Sequence, residues 1–129
     1  MSPEPTRFQG FVPGQAPIDA YGNGGFRFSG MSHQGSIFCL SDGVHAWDVT
    51  VAAIVSRSAL TPILARLTPP QFLLLGTGAK QIFPPADVVK AFADAGIGLD
   101  AMDTGAACRT YNILLAEKRS VTAALLAVD

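Results

Sequence analysis

The chain has 129 residues, near the commonest single-domain size, with 49% hydrophobic residues, 15% charged residues and a net charge of -1. This composition excludes a disordered chain, and the lack of a basic run excludes a general electrostatic footprint for nucleic acid. No apolar stretch approaches the ~20 residues of a membrane span, and no secretory signal is visible at the polar start Met1–Arg7.

The charge content lies below the ~25% of an average domain, which points to apolar surface covered by a partner. Cys39 and Cys108 are too few for a disulfide framework or a four-cysteine metal site. They fit a reducing, cytoplasmic compartment.

Taken in order, residues 1–7 hold two prolines and no apolar pattern, so they read as a flexible tail before one domain over 8–129. Phe8, Phe11, Val12 and Ile18 begin the apolar pattern. Gly22-Asn-Gly-Gly25 is a turn cluster leading into Phe26-Arg-Phe28, a hairpin signal. Ser36–Ser41 reads as a strand, Asp42-Gly43 as a tight turn, and Val44–Val49 alternates apolar with polar. These segments predict an antiparallel meander of about four strands. Val51–Val55 could extend a strand.

Ser58 is placed to cap a helix over Ala59–Leu67, with Pro62 in its first turn and Thr68-Pro-Pro70 as its stop. Phe72–Leu75 is a short continuous apolar run, as in buried parallel strands. Pro84-Pro85 opens a helix over Ala86–Ala95, and Gly96 stops it. Ile97–Met102 is the next strand. Asp103 or Thr104 caps a long helix running through Lys118. Val121–Val128 suits strand or helix. Strand is chosen because it completes two successive βαβ units. The fold class is therefore α/β: a single compact layered domain with a mixed sheet, βαβ units in the C-terminal half and an antiparallel β meander in the N-terminal half.

Gly76-Thr77-Gly78 follows a strand, where glycines let backbone approach a ligand and free amides hold an anion. It is neither a dinucleotide fingerprint nor a P-loop, and a tight turn after a buried strand is the simpler reading. On the long helix, Ala107, Cys108, Tyr111, Leu114 and Leu115 recur at spacings of three and four and face the sheet. Arg109, Asn112 and Ala116 form the neighbouring stripe. A guanidinium and an amide one turn apart suit a carboxylate or phosphate, or else Arg109 pairs with Asp100 or Asp103 and Asn112 caps a loop. Cys108 near a helix start is either an activated thiol or a buried structural residue, and no base is placed beside it. His33, His45, Asp42 and Asp48 lack metal-ligand spacing and read as hairpin surface. Trp47 reads as packing the meander onto the helices. No metal and no cofactor are expected.

The run Gly76-Thr77-Gly78, Gly96-Ile97, Met102, Thr104, Ala107-Cys-Arg-Thr-Tyr-Asn112, Leu115, Glu117 and Arg119, with Tyr21, Gly24-Gly25-Phe26, Gly35-Ser36 and Trp47 before it, resembles a small family of unknown function. That family includes a mitochondrial complex I assembly factor. The resemblance covers nearly the whole chain, and Ala107–Asn112 is its most specific part. A departure is Ala79-Lys80, where an acidic or polar Glu-Arg-like pair is the family pattern. The resemblance implies a compact α/β fold with a mixed sheet, no settled activity among bacterial members, and a non-enzymatic role in early assembly of the NADH:quinone oxidoreductase near the inner membrane.

Two readings follow. In the first, the chain is a protein-binding factor that holds a subunit of a respiratory complex, cytoplasmic or peripheral at the inner membrane. Its surface would include Gly76, Thr77, Gly78, Arg109, Tyr111 and Asn112. In the second, the Gly-Thr-Gly loop and Arg109 form the pocket of an enzyme or sensor for a small anionic metabolite.

Overall fold

The structure is a computed structural model that describes residues 6–51 and 55–129. Seven short strands come first: β1 (Thr6–Arg7), β2 (Phe11–Pro13), β3 (Ala20–Gly22), β4 (Gly25–Phe28), β5 (Met31–Gln34), β6 (Ser36–Leu40) and β7 (Gly43–Trp47). A 3₁₀ turn (Ser58–Leu60) runs into α1 (Thr61–Leu64). Then β8 (Phe72–Gly76), α2 (Ala86–Asp94), β9 (Gly98–Met102), α3 (Thr104–Ala116) and β10 (Ala123–Leu125) alternate.

Among the described residues two sheets result, one of four strands in the order β1-β5-β4-β3 and one of six in the order β2-β7-β6-β10-β8-β9. The larger sheet is mixed: β2, β7, β6 and β10 pair antiparallel, whereas β10, β8 and β9 pair parallel. The meander is thus divided between two sheets rather than forming one. The division falls at Gly35, whose φ of 109° lets the chain leave β5 and enter β6 without a Cβ penalty. Thr6–Arg7, read as tail, pairs in parallel with Met31–Ser32.

β10 joins the two halves of the large sheet, antiparallel to β6 and parallel to β8. The continuous apolar run around it is the pattern of a central strand, so strand is the form found. β8 pairs with both β9 and β10, which means the α3 crossover passes over β8. Side chains alternate between two cores, as the period of two demands. Ile37, Cys39, Leu74, Ala123 and Leu125 face α3 and the small sheet, in a cluster with Phe26, Phe28, Cys108 and Tyr111. Phe38, Leu40, Leu73, Leu75, Ala124 and Leu126 face the other way, onto Leu60, Ile63, Val88 and Phe92. Trp47 stacks on Phe38 at 4.7 Å, and its indole Nε1 donates to the Ala59 carbonyl at 3.1 Å. It therefore ties the meander to the helical side.

Some boundaries differ from expectation. The helix expected over Ala59–Leu67 shrinks to a 3₁₀ turn and four α residues. Prolines at 62, 69 and 70 leave too few backbone donors nearby for a longer helix. The hydroxyl that holds its start is that of Ser56, which accepts from Ala59 N at 3.2 Å, not that of Ser58. α2 starts at Ala86 as expected. α3 ends at Ala116 because Lys118 turns to a φ of 59°. The suggested strand over Val51–Val55 falls largely on residues outside the described ones.

Candidate functional site

The three parallel strands bring their carboxyl ends to one edge of the molecule, where open α/β sheets bind ligands. Here lie the loop after β8, the start of α3 and the residues after β10. Thr104 joins all three. Its hydroxyl donates to the Leu126 carbonyl at 2.7 Å and accepts from Gly78 N at 2.9 Å, while its own amide donates to the Gly78 carbonyl at 2.8 Å. Thr77 closes the loop in a similar way. Its amide donates to the Met102 carbonyl at 2.8 Å, and its buried hydroxyl accepts from Ile82 N at 3.0 Å and lies 2.5 Å from the Lys80 carbonyl.

The Thr77 and Gly78 amides, the candidate anion donors of the sequence, are therefore bonded within the protein. Beyond them is an open groove of about 570 Å³, with Val51, Ala79, Ile82, Leu126, Ala127 and Val128 as its apolar lining and Thr50, Thr77, Gly78 and Asp129 as the rest. Ile82 is 46% exposed and Phe83 79%. An exposed aliphatic and aromatic pair beside a groove is a feature of interaction surfaces. Sequence reasoning passed over this pair, although an Ile-Phe dipeptide within a loop ahead of two prolines was its visible signal.

On α3, Asp103 is the N-cap, its carboxylate accepting from Ala106 N at 2.9 Å. Gly105 follows because the Tyr21 ring lies over it: a Cβ there would sit 2.5 Å from the phenol oxygen and 3.3 Å from Arg109 Nη1. This close approach excludes alanine without a shift of Tyr21. Arg109 is exposed, and among the described residues no carboxylate stands within ion-pair distance of it. The pairing with Asp100 or Asp103 weighed from sequence is absent.

Tyr111 and Asn112 face inward. Tyr111 is fully buried, and its hydroxyl donates to the Ala16 carbonyl at 3.0 Å. Asn112 grips the backbone of Ile18 with both ends of its amide, accepting from Ile18 N and donating to the Ile18 carbonyl, each at 2.8 Å. The helical spacing sets Tyr111 against the sheet and leaves Asn112 open as a loop cap, and the binding reading counts both in its surface. The structure brings Gly76, Thr77 and Gly78 together at the strand ends and puts Arg109 near Tyr21, but turns Tyr111 and Asn112 to the segment before β3. Their chemistry there is to hold that segment against α3.

Burial pushes the thiols of Cys39 and Cys108 up to about 12, so the activated-thiol alternative for Cys108 has no support. Burial likewise raises Tyr111 above its ordinary value. His33 packs edge-on to Phe8 at 4.9 Å, and burial holds it below its ordinary value. Asp42 accepts from His45 at 3.0 Å and lies 3.3 Å from Arg66; the His45 bond chiefly lowers its pKa. No group of three or more His, Cys, Asp or Glu among the described residues is arranged to hold a metal. No helix among them is long and apolar enough to cross a membrane.

A crystal structure of an outer membrane protein from Bartonella henselae superimposes with a TM-score of 0.85 at 44% identity, covering 91% of this chain and 98% of that one. The 13 kDa major membrane protein of Francisella tularensis is 40% identical over 72 residues, 56% of this chain and 57% of that protein. NADH dehydrogenase (ubiquinone) 1 alpha subcomplex assembly factor 3 of Danio rerio is 34% identical over 111 residues, 84% of this chain and 63% of that protein. The chain thus spans less than two thirds of the length of these last two relatives. Residues 18–126 match the family described as protein of unknown function (DUF498/DUF598), and the chain belongs to that family.

Proposed function

We propose that this protein is a non-catalytic binding factor that holds a subunit of a multi-subunit membrane complex, such as the respiratory NADH:quinone oxidoreductase, during assembly. Its location would be cytoplasmic or peripheral at the inner membrane. The observation that carries the reading is the surface at the carboxyl ends of β8 and β10. The Thr77 and Gly78 amides there are bonded internally, while Ile82 and Phe83 are exposed beside an open groove whose lining is mostly apolar. An exposed aliphatic and aromatic pair of this kind suits a protein segment better than a small anionic metabolite. The similarity to assembly factors over 84% of the chain supports the same reading. Gly76, Thr77 and Gly78 shape this surface, and Arg109, exposed near Tyr21 and without a carboxylate partner among the described residues, is a further candidate contact. Tyr111 and Asn112 act as positioning residues behind it.

The test is an affinity capture from the protein's own host with wild type, Arg109→Ala and Phe83→Asp side by side. The account expects subunits of a membrane complex with wild type and at least ten-fold less with Phe83→Asp. Recovery of no such subunit with wild type, or equal recovery with all three, overturns it.

A further inference from the structure

β9 is an edge strand: among the described residues it pairs with β8 alone in the six-stranded sheet. Edge strands expose unpaired backbone groups, and proteins guard them. The register identifies which groups these are. Gly98 N donates to the Gln71 carbonyl and the Met102 carbonyl accepts from Thr77 N, so residues 98, 100 and 102 turn their backbone to β8. Residues 99 and 101 then turn theirs outward, since consecutive residues of a strand point their backbone groups to opposite sides.

Both ends of this edge are already occupied. Ile97 N is taken by the Phe92 carbonyl at the end of α2, at 2.9 Å, and the Ala101 carbonyl by Gln81 Nε2 at 2.8 Å. Between them, Leu99 N–H, Leu99 C=O and Ala101 N–H have no partner among the described residues. Side chains flank this gap unequally. Leu99 and Ala101 are half-buried on the α2 side, and Asp100 is exposed on the other side. Among the described residues, no cation lies within ion-pair distance of the Asp100 carboxylate.

We infer that this gap accepts an extended segment of a partner protein by strand addition, with a Lys or Arg flanked by apolar residues. Backbone bonding to Leu99 and Ala101 sets the extended form, and alternate side chains give the specificity. The middle residue falls opposite Asp100, where a cation is favourable, and its neighbours meet Leu99 and Ala101. A second copy of this chain is the wrong occupant. Antiparallel pairing of two β9 strands across a two-fold at the centre of the gap sets Asp100 against Asp100, and like charges directly opposite destabilise a pair. The inference rests on the reading of the protein as a binding factor and adds a chemical signature for what it binds.

The experiment uses the whole chain and blocked synthetic peptides built around Val-Lys-Val and Val-Glu-Val, followed by amide hydrogen exchange and chemical-shift titration. The Val-Lys-Val peptide is expected to slow exchange at Leu99 and Ala101 by at least ten-fold. Asp100→Lys is expected to lose that peptide and gain Val-Glu-Val, and N-methylation of the peptide's pairing amide to abolish binding. No slowing at Leu99 and Ala101 with millimolar peptide overturns the inference, as does equal binding of Val-Lys-Val by Asp100→Lys. Slowing that depends on protein concentration alone would assign the edge to a second copy and likewise overturn it. Peptide binding is read without host partners, so its failure leaves the capture experiment unaffected.

Discussion

Replacing Thr104 with valine keeps the volume of the side chain and puts a methyl group where the hydroxyl was. Two groups then lose their partners, the Gly78 amide and the Leu126 carbonyl, bonded at 2.9 and 2.7 Å. Thr104 is fully buried, so water does not replace the hydroxyl. An unsatisfied buried polar group costs about 1–3 kcal/mol, which gives a loss of about 3 kcal/mol for the pair, allowing for relaxation of the partly buried loop. For a domain of this size that is a fall in Tm of about 10 °C. Thr104→Ser keeps both bonds and loses one buried methyl, for about 1 kcal/mol. Urea unfolding of the three proteins, with thermal melts alongside, measures the difference. A Thr104→Val protein as stable as Thr104→Ser would refute the assignment of that hydroxyl as the tie between the three strand ends. Because the same tie shapes the groove, Thr104→Val should also weaken partner capture, whereas Thr104→Ser should not.

Other outcomes follow from the same geometry. Asp103→Ala removes the N-cap of α3 and should cost about 1 kcal/mol in urea unfolding; no loss would mean the cap bond is not formed. Asn112→Asp sets a carboxylate oxygen against the Ile18 carbonyl in place of an amide donor, with an expected loss of about 2 kcal/mol. Hydrogen exchange at Ile18 should quicken with it. Cys39 and Cys108, each held near 12 by burial, should resist iodoacetamide at pH 8 in the folded protein and react fully in urea, read by mass spectrometry. For His33 the folded value is lowered, so the unfolded chain binds the proton more readily than the folded one. Stability should therefore fall as pH drops below about 6.5, levelling off below the folded value, and His33→Gln should flatten that slope. A rise in stability over the same interval would contradict the sign.

The parts of the fold that were legible from the chain are those whose signal is local. Asp103 before Thr104, Pro84-Pro85 before Ala86, and the apolar run Phe72–Leu75 each fix an element with their own chemistry. The terminal strand was legible only through topology, since Ala123 and Ala124 carry no strand preference and earn their place by burial between β6 and β8. The split of the meander was hidden because a single glycine, Gly35, redirects a chain that reads as continuous strand on both sides. At the site, position in sequence proved a poor guide to direction in space. Arg109 and Asn112 are one helical stripe by spacing, yet Arg109 faces solvent and Asn112 reaches a segment 94 residues away. The Thr77 and Gly78 amides read as open from sequence because their acceptors, Met102 and Thr104, are 25 or more residues distant. Phe83 was unremarked because an exposed aromatic has no periodicity to betray it.

The central claim is that the surface beside Ile82 and Phe83 holds a subunit of a membrane complex. Its most direct test places a photo-crosslinking amino acid at position 83 in the host, with a second at position 90 on the exposed face of α2 as control. The account predicts adducts with one subunit of a membrane complex from position 83 and none of that subunit from position 90. Adducts of that subunit from position 90 alone, or from neither position, would contradict it.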